Sequence, residues 1–167
     1  MKKLMMMAVA LVISVTAFAQ AGQMAVGLNG SYGIKKDYNR FGIGAKFQYE
    51  MIDNFRAEVS GNYFLPKEDT YSWDLNLNFH YTILVGESVK VYPLVGVTYL
   101  NHGLSGDAKK AVEAVDGKTS DGKVGFNAGA GIEYYVSSNF KINAECKYQY
   151  VKDMDWVVPS IGFSYVF

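Results

Sequence analysis

The residues of this 167-residue chain best suited to chemistry sit at Asn101-His102-Gly103-Leu104-Ser105-Gly106-Asp107, where an imidazole, a hydroxyl and a carboxylate share one short segment. These are the parts of a nucleophile, its general base and the acid that orients the base, a set used for acyl transfer. The set works only when its geometry is held, and Gly103 and Gly106 make the segment a poor holder. The chain is therefore expected not to be an enzyme, and no catalytic residue and no cofactor are assigned. With two histidines and one cysteine, no zinc constellation is available. Asp116-Gly117-Lys118 and Asp121-Gly122-Lys123 lack the ligand spacing of a calcium loop, so both read as turns. A larger group is five acids (Glu50, Glu58, Asp74, Glu133, Glu145) and five bases (Lys46, Arg56, Lys90, Lys141, Lys147), spread through segments of strict alternation. What those ten can do depends on the elements that carry them.

The first nineteen residues are not part of the fold. Lys2 and Lys3 precede an apolar run, and Ala17-Phe18-Ala19 supplies the small-x-small pattern of a cleavage site, so 1–19 reads as a secretory signal cut between Ala19 and Gln20. The run is too short for a membrane-spanning helix. Without Lys2 and Lys3 the chain carries 14 basic and 16 acidic residues, a near-balance that points to no nucleic acid and no anionic surface. Cys146 stands alone, so no internal disulfide forms and processing as a lipoprotein is excluded.

From Gln23 onward the hydrophobic period is two, and residues 20–167 read as one all-β domain of eight strands. The expected spans are Gln23 to Ile34, Arg40 to Met51, Phe55 to Leu65, Ser72 to Leu84, Val89 to Leu100, Lys123 to Tyr135, Phe140 to Val151 and Trp156 to Phe167. One alternating frame of each strand holds no charge, amide or aliphatic hydroxyl; the other holds the ten charges, eight Asn and Gln, and many glycines. Eight strands enclose only enough room for side chains to fill, and the apolar frame, with Phe47, Tyr63, Trp73 and Phe79, would overfill it. Small glycines between long charged residues suit a crowded lumen. The links also alternate, with Lys35 to Asn39, Pro66 to Tyr71, Asn101 to Gly122 and Lys152 to Asp155 longer than the intervening turns. Short turns on one side and longer loops on the other are the pattern of a transmembrane barrel, so the apolar frame faces lipid. Two aromatic girdles are expected at the headgroup levels, the outer one including Tyr63, Trp73, Tyr99 and Trp156. Pro93 and Pro159 lie in strands, where each forfeits a ladder hydrogen bond, and bulges are the expected accommodation.

An export signal, eight alternating strands and the ending Ile161-Gly162-Phe163-Ser164-Tyr165-Val166-Phe167 resemble the OmpX-like small outer-membrane barrels and the transmembrane domain of OmpA, over Gln23 to Phe167. The resemblance implies an eight-stranded antiparallel up-and-down barrel in the outer membrane of a Gram-negative bacterium, in contact with outer-membrane lipid and monomeric. It also implies that Phe163, Tyr165 and Phe167 are read by the barrel-assembly machinery, after passage by periplasmic chaperones. The ten charges then form a lumen network. Matched signs in a narrow lumen read as salt-bridged filling, because buried charges must be paired, whereas a selectivity ring would carry one sign in excess. The expected function is a structural or surface-interaction protein working through its outer loops, with any extracellular ligand left open. A narrow channel or carrier is the alternative, and a lipid A-modifying enzyme built on His102, Ser105 and Asp107 the third.

Overall fold

A computed structural model describes residues 22–36, 39–105 and 119–167; Ala19 and Gln20, the segment Ala108 to Val115, Asp107, and Asp116-Gly117-Lys118 lie outside the described residues. The strands are β1 (Met24–Gly33), β2 (Arg40–Ile52), β3 (Phe55–Lys67), β4 (Thr70–Tyr81), β5 (Ile83–Leu84), β6 (Val89–Leu104), β7 (Ser120–Ser137), β8 (Phe140–Val151) and β9 (Trp156–Val166). Every pairing is antiparallel, in the order β4-β3-β2-β1-β9-β8-β7-β6-β5, and β4 also pairs with β6. The sheet therefore closes on itself. Since β4 and β5 are two parts of one strand, the barrel has eight staves, as the periodicity predicts.

Alternation becomes inside and outside directly. Arg56, Asn78 and Gln149 are 0 % exposed, while Phe41, Val124 and Ile161 are 68, 71 and 70 % exposed. The polar frame faces the axis and the apolar frame faces outward, the arrangement lipid requires. Closure leaves no unpaired edge, which satisfies the backbone in a medium without water.

The prolines are accommodated differently from the expectation. Neither has a bulge. Pro93 pairs Ala130 within an unbroken β6–β7 ladder, and on its other side the β4 pairing stops at His80↔Leu94 and resumes in β5 at Ile83↔Val91 with the same register. Pro159 likewise pairs Cys146 in β8, while β1 and β9 lose contact after Ser31↔Ser160 and meet again at Ile34↔Val157. Proline lacks one N–H, so one bond is missing on one side and the count of residues is unchanged. Pro93 is thus the reason β4 and β5 are separate segments. The register shifts fall elsewhere, between Glu50 and Ile52, Phe64 and Lys67, and Tyr135 and Ser137.

Two links also differ from the expected lengths. The turn joining β3 to β4 is only Glu68-Asp69, both at positive φ (51° and 55°), the geometry of a tight type I′ hairpin. The β6–β7 hairpin continues to Gly103↔Ser120, so Asp121-Gly122-Lys123 is strand rather than turn. Loop length is accordingly a weaker guide to orientation than the exposed apolar frame.

Candidate functional site

The lumen is built in layers, because lumen-facing residues from eight tilted strands meet at each level of the axis. At the level of the β2–β3, β5–β6 and β7–β8 turns lies Arg56. Its Nη1 donates to both carboxylate oxygens of Glu133, at 3.0 and 2.8 Å, and lies 3.6 Å from Glu50. Lys141 donates to the same Glu133 at 3.1 Å. Arg56 also points Nε and Nη2 at Nδ1 of His80, 3.2 and 3.0 Å away, and its guanidinium lies over the Tyr92 ring, which stacks on His80 at 4.7 Å. Gly131 makes that stack possible, since a Cβ there would sit 2.4 Å from the Tyr92 ring. Lys90 and Lys141 lie over the ring of Tyr135, at 5.2 and 5.5 Å.

One level up, Glu58 accepts from Gln48 at 2.7 Å with Lys46 at 3.8 Å, and Glu145 accepts from the Tyr92 hydroxyl at 3.1 Å. Lys147 is buried in the same layer, with no carboxylate inside 4.0 Å among the described residues. Glu58, His80 and Glu145 bring ligand atoms within 4.8 Å of one another, the composition of a cation site. The imidazole cannot serve it: Nδ1 accepts from Arg56, so Nε2 carries the proton.

The third layer is mostly amide. Asp74 accepts from Asn62 (2.7 Å), Asn76 (2.8 Å) and Gln149 (3.2 Å), and Asn127 bridges Asn76 and Asn78. Asp74 is thus held by amides, not by a cation as expected. A cavity inside these layers, beside Lys46, Glu58, Glu145 and Lys147, has a volume of about 10 Å³.

The outermost layer is apolar. Phe64, Leu100, Val151, Trp156 and Val158 form a buried cluster across the lumen, with Met154 packed on it. Phe64 and Trp156 meet ring to ring at 4.4 Å, and the Trp156 indole N–H donates to Gln149, which joins this plug to the amides below. Gly33 leaves the space for that indole, since a Cβ there would lie 2.5 Å from it. Trp156 is 4 % exposed and faces the axis, so it is not part of the outer girdle; the alternation places it there, in the polar frame of its strand. Tyr63, Trp73 and Tyr99 do face outward, with Trp73 and Tyr99 5.6 Å apart.

Above the plug the barrel opens into a mouth cavity of about 440 Å³. His102 lies on its wall, and its Nδ1 is 2.7 Å from the Ser72 hydroxyl on β4, with Asp121 opposite it on β7. The structure therefore brings His102 to Ser72 and Asp121; Ser105 instead donates its backbone N–H to Asp69. At the other end of the barrel Phe163, Tyr165 and Phe167 face outward, and Phe167 exchanges backbone bonds with Met24 at 2.9 and 3.1 Å.

A comparison with curated proteins finds no match. Among solved structures, the N-terminal barrel of Pseudomonas aeruginosa OprF is similar at 17 % identity and TM-score 0.71, covering 87 % of this chain and 98 % of that one. Yersinia pestis Ail, the attachment invasion locus protein, is similar at 20 % identity and TM-score 0.62, over 87 and 99 % of the two chains. Neisserial surface protein A gives 16 % identity and TM-score 0.67, over 87 and 96 %. Residues 5–167 match the family described as outer membrane protein beta-barrel domain. With a closed antiparallel barrel of eight staves, an apolar outer face and a polar axis, the chain belongs to that family and is a bacterial outer-membrane protein.

Proposed function

We propose that this protein is a non-conducting barrel that acts as a structural and surface-interaction protein through its outer loops and mouth. The observation carrying the reading is the packing along the axis. A single water needs roughly 10–15 Å³, and the cavity beside Lys46, Glu58, Glu145 and Lys147 holds about 10 Å³, below a plug of five apolar side chains. Hydrated ions would have to displace Phe64, Leu100 and Trp156 and then part the Arg56–Glu133 contact. Reconstitution in a planar bilayer tests this. No reproducible conductance steps are expected; steps that vanish on neutralising Lys46 or Glu58 would overturn it and favour the channel.

An enzyme acting on lipid A is the weaker reading. Ser72, the hydroxyl paired with His102, is 1 % exposed, whereas a nucleophile must reach a carbonyl. His102→Ala and Ser105→Ala should leave the lipid A profile of the cell unchanged. Yersinia pestis Ail, of the same fold, has a crystal structure in complex with the heparin analogue sucrose octasulfate, and an extracellular partner is part of the present proposal. In biogenesis the leader is cut between Ala19 and Gln20, and Phe163, Tyr165 and Phe167 present the barrel to the assembly machinery.

A further inference from the structure

The outward wall is not uniformly bulky. One row across β1 to β4 places Leu28, Ala45, Gly61 and Leu75 in register, and the next outward row toward the loops places Gly30, Ile43, Tyr63 and Trp73. The small residues Ala45 and Gly61 sink the wall between Leu28 and Leu75 on the flanks and Ile43 and Tyr63 on the loop side. The recess has a volume of about 640 Å³. Its rim is open to the outside, with Leu28 and Leu75 each 54 % exposed and Ile43 64 %. Behind this wall Asn29, Asn62 and Asp74 belong to the lumen frame and bond one another, Asn29 donating to Asn62 at 2.8 Å and Asn62 to Asp74 at 2.7 Å. Lipid tails are as apolar as leucine, so what fills such a recess in a bilayer is packing: an empty hollow forfeits dispersion contacts along its lining.

The recess is continuous with the face that meets lipid, and it extends from the middle of β2 and β3 to Tyr63 and Trp73 near the loops, the half that outer-leaflet chains occupy. A second barrel would present a convex wall, rest on Leu28 and Leu75, and leave Ala45 uncovered. A single flexible chain reaches it. We propose that the recess seats one acyl chain of an outer-leaflet lipid, laid over Ala45 and Gly61 against Tyr63 and Trp73. The seat rests on the outer-membrane location and not on the surface-interaction reading, so conductance and lipid retention can fail separately.

The chain has two tryptophans. Trp73 borders the recess and Trp156 is 4 % exposed on the axis, so one reports on the seat while the other supplies a constant background. Protein freed of lipid in detergent micelles is titrated with phosphatidylcholine whose stearoyl chain carries bromine, which quenches an indole on contact. Native mass spectrometry counts the lipids retained. Emission should fall saturably to a plateau left by Trp156, with one lipid retained per barrel. Ala45→Leu fills the recess from a position that already has a Cβ and should weaken this binding about tenfold, with Ala45→Val intermediate. Ala128→Leu, an outward small residue of β7 between Val95 and Tyr148, should bind as the wild type does. Heat-modifiable migration establishes that each variant is folded. Quenching that rises linearly with lipid, equal affinity in the Ala45 variants, or a wild-type dimer that Ala45→Leu abolishes would overturn the seat.

Discussion

Replacing Arg56 with methionine tests whether the lumen is held by its charge cluster or merely occupied by it. Arg56 is 0 % exposed, with two bonds to Glu133 (3.0 and 2.8 Å), contact with Glu50 at 3.6 Å and two N–H groups on His80. Methionine keeps most of the stem, so the cavity contribution is small. What remains is the cost of leaving partners behind. Removing one member of a buried pair costs about 3–5 kcal/mol; Lys141 still holds Glu133 at 3.1 Å, which places the expected loss near ~3 kcal/mol, roughly a hundredfold in the folding equilibrium. Glu133→Met in the same background removes the orphaned carboxylate, so the double variant should be more stable than the sum of the single losses by about 1.5–3 kcal/mol. Equilibrium urea unfolding in lipid vesicles, followed by tryptophan fluorescence, measures all corners of the cycle. A single loss under about 1 kcal/mol, or additivity within about 0.5 kcal/mol, would refute the argument that this pair holds the barrel.

Ala144, outward-facing between Ile132 and Ile161, should cost about 2–4 kcal/mol when changed to Arg. Asn143→Ser beside it should cost far less, because its buried amide has no partner among the described residues; equal losses in urea unfolding would disprove the register. Gly33→Ala drives a Cβ into the Trp156 ring, at 2.5 Å, and should cost about 1–3 kcal/mol, whereas Gly30→Ala, with nothing within 4 Å, should be neutral in the same measurement. Phe167→Ala should reduce the heat-modifiable barrel band of the outer-membrane fraction several-fold, and an undiminished band would remove Phe167 from the assembly signal.

The apolar plug is legible in the pattern of the sequence. Phe64, Leu100, Val151, Trp156 and Val158 all occupy the frame that otherwise carries polar residues, and all fall at the loop end of their strands. Apolar side chains out of phase at the same end of several strands, here β3, β6, β8 and β9, are the signal of a lumen cap. The ring type of Trp156 and its place near a loop suggest the outer girdle, but its parity puts it on the axis, and parity prevails. The two strand prolines are evident in the sequence, but a missing N–H requires only a missing bond; an inserted residue would shift a register that the outward apolar frame fixes on both sides.

By itself the sequence determined the number of staves, the face each residue takes and the medium outside, because a two-residue period is a local property that survives without knowing any partner. Neighbouring strands across short turns were within its reach as well, and Glu50 does oppose Arg56. Only the closed barrel decided what meets across the axis. Arg56 and Glu133 are 77 residues apart on strands that are not neighbours, and the amides around Asp74 come from three staves. Curvature and stagger set those meetings, and both are properties of the whole sheet once it has closed.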